Sequence, residues 1–211
     1  MNIFLFVNLL FVLVFAKPVY SFPGRSEMNT PPDTIKQWKP VFDTSFQKGL
    51  FRTTMDIGKN HLTGFIFIKK VSDTSYRILF SNEIGMKFFD LEFREGEFIV
   101  HYCFPSMDRK SLMKLLDSDF RILFFPNLGI KKISRVKTEK ENEKIFTINS
   151  EQGKWRYEVL ASSGKIFFIG TISRFISKAR IKLDYSGDIT TGIDISNPMI
   201  NLSIIMNLIS P

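Results

Sequence analysis

Residues 154–159, KWRYEV, put Trp155, Tyr157 and Val159 on one side of the chain and Lys154, Arg156 and Glu158 on the other. Successive side chains of an extended chain point to opposite faces, so this period of two marks a half-buried antiparallel strand. Lys178 to Tyr185 repeats it, with Ala179, Ile181, Leu183 and Tyr185 opposing Lys178, Arg180, Lys182 and Asp184. Met199 to Ile209 does so again, through Ile200, Leu202, Ile204, Met206 and Leu208. Helices repeat at three and four residues, so these segments are not helical.

Outward from these three, further strands are predicted at Ser45–Ile57, Leu62–Lys70, Tyr76–Ser81, Met86–Arg94, Glu97–Phe104, Ile130–Lys137, Lys144–Ile148 and Lys165–Ser173. Short turn sequences separate them, among them Gly58-Lys59-Asn60, Asn82 to Gly85 and Ser162-Ser163-Gly164, so the order is up and down. One helix interrupts the strands. Leu112, Leu116, Phe120 and Leu123 share a face, Asp108 is its expected cap, and Pro126 stops it. The expected fold is mainly β: one antiparallel curled sheet or half-barrel of about eleven strands. The main helix lies on the concave side, and a second, short helix is expected near Ile35–Trp38.

Several strands are apolar on both faces. Phe65 and Phe67 oppose Ile66 and Ile68, and Phe168 opposes Ile169. One helix is too little cover for eleven strands. The 23 phenylalanines therefore imply one of two interiors: one filled by its own side chains, or an apolar concave face that accepts a ligand. The candidate lining residues are Phe65, Phe67, Phe89, Leu91, Phe93, Trp155, Tyr157 and Phe168.

Ile3 to Ala16 is almost unbroken apolar and ends at Lys17-Pro18. That is the length of a signal-peptide core and shorter than the ~20 residues of a transmembrane helix. Cleavage is expected after Ser21, dividing the chain into signal peptide 1–21, a polar proline-rich leader 22–42 and a β domain 43–211. An uncleaved anchor is the alternative. The expected location is periplasmic or associated with the outer membrane.

The only cysteine is Cys103, so no intramolecular disulfide forms. None lies near the expected cleavage site, where acylation would need one. The formal net charge of +8 suits an anionic membrane surface. For an exported chain nucleic acid is a poor partner, and the chain is read as a monomer. His101 and Cys103, two apart on a predicted strand, have no sequence-local third partner, and Cys103 reads as a small packed hydrophobe. Asp90 and Glu92 read as a solvated face. No phosphate loop, nucleophile elbow or paired-histidine motif occurs. The chain is therefore read as a non-enzyme with no cofactor, no metal and no catalytic residue.

The stretch Leu62 to Phe124, from LTGFIFIKK through SNEIGMKFFDLEF to MDRKSLMKLLDSDFRILF, resembles the LolA/LolB-type lipoprotein-localisation proteins, especially LolB-like envelope proteins. The closing ISNPMINLSIIMNLI resembles that family's last strand. The resemblance implies an eleven-stranded half-barrel with helices lidding an apolar cavity that binds the acyl chains of lipoproteins. It further implies that Ile84, in the turn Asn82-Glu83-Ile84-Gly85, is an exposed apolar residue used in delivery to the membrane. The chain departs from the pattern in lacking the receptor's N-terminal cysteine and the carrier's longer lid helices. The expected function is a periplasmic binder of acyl chains or lipoproteins. The alternative is a structural or interaction protein of the envelope with a filled core.

Overall fold

The computed structural model describes residues 21–22, 38–94, 96–151, 153–172 and 179–211. The first six strands are β1 (Ser21–Phe22), β2 (Lys48–Ile57), β3 (Asn60–Ser72), β4 (Ser75–Ser81), β5 (Lys87–Arg94) and β6 (Glu97–Cys103). A 3-10 turn over Pro105–Met107 and the helix α1 (Lys110–Phe124) follow. The remaining strands are β7 (Ile130–Val136), β8 (Glu143–Ser150), β9 (Gly153–Leu160), β10 (Ile166–Thr171), β11 (Arg180–Ser186), β12 (Ile189–Asn197) and β13 (Leu202–Ser210). All pair antiparallel in one open sheet, ordered β1-β6-β5-β4-β3-β2-β13-β12-β11-β10-β9-β8-β7.

The sheet is curled around its helix. Phe124, the last residue of α1, stacks on Tyr76 of β4 with centroids 4.4 Å apart. Two residues later, the carbonyl of Pro126 accepts a hydrogen bond from the Tyr157 hydroxyl of β9 at 3.1 Å. β4 and β9 stand seven places apart in the sheet, about 34 Å if it were flat at roughly 4.8 Å per strand. Two residues can touch both strands only because the sheet bends.

The alternation read from the sequence sets the concave face. Met55, Ile204, Ile195, Ile181, Ile169, Tyr157 and Phe146 are successive cross-strand partners in one buried row. Leu112, Met113, Leu116, Phe120, Leu123 and Phe124 of α1 are buried against this face. Burying six such side chains stabilises the helix's seat by on the order of 10 kcal/mol, an upper figure before ordering costs.

Four of the structure's corrections to the sequence reading concern the elements themselves. The strand β12 was not expected. Its ITTGIDISN carries only two inward isoleucines, Ile193 and Ile195, and Gly192 breaks the pattern. The cap at Asp108 does not form. The chain turns through the 3-10 segment first, so Arg109 is the N-cap and no side chain caps the helix. His101 and Cys103 do not share a face. A bulge makes Val100 the partner of Leu91 and Tyr102 the partner of Asp90, and His101 is the extra residue. Cys103 is buried in the core, while His101 lies outside and meets Glu92 at 2.6 Å.

The fourth correction concerns the leader. Trp38, Val41 and Phe42 are core residues. Trp38 packs edge-on against Tyr157 at 5.2 Å, and the Thr190 hydroxyl donates to the Val41 carbonyl. The signal peptide, except Ser21, and residues 35–37 of the expected short helix lie outside the described residues.

Candidate functional site

The structure divides the eight candidate lining residues between two faces. Phe89, Leu91, Phe93, Trp155 and Tyr157 are buried on the concave face under α1. Phe93 meets Phe98 at 5.1 Å and Phe124 at 5.3 Å, and Phe89 meets Phe80 at 5.3 Å. Phe65, Phe67 and Phe168 stand on the convex face, half-buried. Arg52 lies over the Phe65 ring at 6.0 Å, Phe67 pairs with Leu50 and Leu79, and Phe168 pairs with Lys182 and Glu158. The correction follows from the pleat: residues 65 and 67 face away from their buried neighbours 66 and 68. These three phenylalanines cannot line the interior with the other five.

Ile84 occupies the tip of the β4–β5 turn and is 90% exposed. Alternate hairpin turns run along the same end of the sheet. The β2–β3 turn follows, joined to the β12–β13 turn by a bond from the Gly58 amide to the Asn201 carbonyl at 3.1 Å. Met199 of the latter turn is also exposed. At this end a cleft of about 390 Å³ opens between the two joined turns and the start of α1. A second cleft of about 240 Å³ sits at the opposite end, between Phe42–Lys48 and the end of β13.

Polar groups inside the fold are few and distinctive. Asp119 is on the buried stripe of α1, one turn from Leu116 and Leu123, and neither carboxyl oxygen has a hydrogen-bond partner. Burial alone pushes its pKa up to about 7. The indole N–H groups of Trp38 and Trp155 are also buried without an acceptor. Burial raises the Tyr157 phenol well above its ordinary value.

On the convex face Asp90 and Glu92 are buried, which corrects their reading as a solvated pair, and Asp90 accepts from Arg77 at 2.9 Å and from Lys87 at 3.0 Å. Burial pulls the Asp90 pKa upward, but these cationic donors prevail and hold it below the usual carboxylate range. The sequence reading missed Trp38, Phe42 and Asp119. The signal for Asp119 was present, since an acid at three and four residues from Leu116 and Leu123 falls on the apolar stripe. Among the described residues, no group of three or more His, Cys, Asp or Glu could hold a metal ion. No helix among them is long and apolar enough to cross a membrane.

No protein-family model and no curated protein matches the sequence. Solved structures do match in shape. A LolA superfamily protein from Nitrosomonas europaea superposes with a TM-score of 0.57 at 6% identity, over 86% of this chain and 92% of its own. A putative outer membrane lipoprotein-sorting protein domain from Vibrio parahaemolyticus gives 0.45 at 8% identity, over 80% of this chain and 86% of its own. Together with the curled open sheet and its enclosed helix, the first of these shows that the chain has a LolA-like fold.

Proposed function

We propose that the protein is a non-enzymatic binder of acyl chains, or of lipoproteins through their acyl chains, in the bacterial cell envelope. The carrying observation is the seat of α1. A single helix, tied to the sheet by loops at both ends, covers a continuous apolar surface that includes Phe89, Leu91, Phe93, Trp155 and Tyr157. An acyl chain inserted between helix and sheet offers both surfaces apolar contacts like those they now give each other, so it can enter while keeping both apolar faces covered. The LolA superfamily fold of the Nitrosomonas europaea neighbour supports the reading.

The exposed Ile84 and Met199 and the +8 charge fit contact with an anionic bilayer at the end where the larger cleft opens. Export with cleavage after Ser21 belongs to the same reading, and N-terminal sequencing of exported protein should begin at Phe22. Native mass spectrometry of protein purified from an envelope fraction should show bound lipid, and a fluorescent fatty acid should bind. A clean apo mass together with no fatty-acid binding refutes the reading. The alternative is a structural or interaction protein, favoured by the complete burial of Phe51, Phe80 and Phe120, which fill the interior.

A further inference from the structure

We propose that the cleft beside the start of α1 binds the anionic head of an amphiphile. The inference rests on the acyl-binding reading for the tail and adds the class of head group.

The floor of the cleft is apolar. Ile57, Met107, Leu112 and Ile200 line it, and Met107 and Leu112 belong to the buried core. Its walls are polar and come from both sides. Lys59 and Asn60 stand on the hairpin wall, and Ser106, Arg109 and Ser111 stand opposite. Among the described residues no carboxylate lines it. Neither Lys59 nor Arg109 is drawn into an ion pair with another described residue, so both charges are available to a ligand in the cleft.

Two cations on the rim of one cleft with an apolar floor describe the ligand. An anion between them is attracted more strongly than in open water, because the floor lowers the local dielectric. A bare inorganic anion would leave the floor wetted, and a neutral lipid would leave both cations unused. A phosphate or carboxylate head with a short apolar stem uses both parts. The volume lies within the ~300–1,000 Å³ range of small-molecule pockets. Met199, next to Ile200 of the floor, is exposed at the same end, so the opening faces whatever apolar surface that end meets.

The test uses the full mature chain and lipids that stay monomeric. Titration calorimetry compares dihexanoylphosphatidylglycerol, dihexanoylphosphatidylcholine and inorganic phosphate. A fluorescent neutral monoacylglycerol reports separately on the concave face. The discriminating variant is Ser111→Asp, which places a carboxylate in the cleft. An acid in the first helical turn is favourable, so its melting temperature should not fall. Phosphatidylglycerol should bind at least tenfold more tightly than phosphatidylcholine or phosphate. S111D and the double variant K59E/R109E should each weaken it at least tenfold and leave the monoacylglycerol unaffected. The double variant K154E/K182E, on the convex face, carries the same charge change and should have little effect.

Equal binding of the two lipids, phosphate binding as tightly as phosphatidylglycerol, or an equal loss in K154E/K182E would each overturn the proposal. So would a failure of phosphatidylglycerol to bind, or loss of the monoacylglycerol in S111D. If phosphatidylglycerol binds as expected while the monoacylglycerol does not, the concave-face reading fails and the cleft stands.

Discussion

Replacing Asp119 by asparagine should stabilise the protein at pH 8 and leave it nearly unchanged at pH 4. The carboxyl group is buried on the sheet-facing stripe of α1 with no partner for either oxygen, and its pKa is pushed up to about 7. An ordinary aspartate titrates at 3.8. The folded state therefore keeps a proton that the unfolded chain gives up. Stability from this group is fully present below about pH 4 and is lost as pH rises through 7. The shift spans roughly three pH units at about 1.4 kcal/mol each, or about 4 kcal/mol in total. Asparagine cannot ionise, so it removes this penalty while keeping the side chain's size.

The measurement is urea unfolding of both proteins at half-unit steps from pH 4 to 9. The stability difference should be near zero at pH 4, grow by about 1.4 kcal/mol per unit, and level off above pH 7 at about 4 kcal/mol. Other titrating groups contribute equally to both proteins and cancel in the difference. A difference that does not change with pH would refute the reasoning, because it would mean that the carboxylate is solvated or paired when ionised. The location gives the penalty a consequence for motion. Lifting α1 hydrates Asp119 and regains part of the ~4 kcal/mol, so hydrogen exchange in Lys110–Phe124 should accelerate beyond its intrinsic rate as pH rises from about 4 to 7, level off above that, and do so less in Asp119→Asn.

Ile84→Glu should leave thermal stability nearly unchanged, since the side chain is 90% exposed and such substitutions usually cost within about 0.5 kcal/mol. It should reduce binding to liposomes at high salt, and a large fall in melting temperature would contradict the exposed position. Gly64→Ala should destabilise by about 2 kcal/mol or more, because an added Cβ would lie 2.1 Å from the Ser81 carbonyl oxygen. Gly58→Ala meets nothing within 4 Å and costs only its left-handed backbone, φ +60°, so chemical denaturation should rank it milder. Asp90→Asn should flatten the acid limb of the stability curve. The lowered pKa contributes stability present above pH 4 and lost as pH falls through the folded value, so an unchanged limb would discount the Arg77 and Lys87 bonds.

Most of the sheet was legible because alternation is a local signal and burial makes it strict. KWRYEV became a strand with Trp155, Tyr157 and Val159 inside, as its pattern requires. β12 was illegible for the same reason, because two isoleucines flanked by Thr191, Gly192 and Asp194 give too short an alternation. Which face of a doubly apolar strand turns inward is not local information. In β3 both Phe65/Phe67 and Ile66/Ile68 satisfy the pleat, and the larger side chains were the natural choice for a lining. Register decides the matter: Ile66 pairs with Phe51 and Phe80, which stand under the helix, while Phe67 pairs with Leu50 and Leu79 outside. The cleft was illegible for a related reason. Lys59, Arg109 and Ile200 are ordinary turn and cap residues in sequence, and only the curl of the sheet brings their three segments to one opening. The curl itself was inferred from a mismatch between many apolar strands and one short helix. That argument from area holds whichever faces are chosen, so the fold could be read correctly while three of its eight proposed lining residues stood on the wrong side.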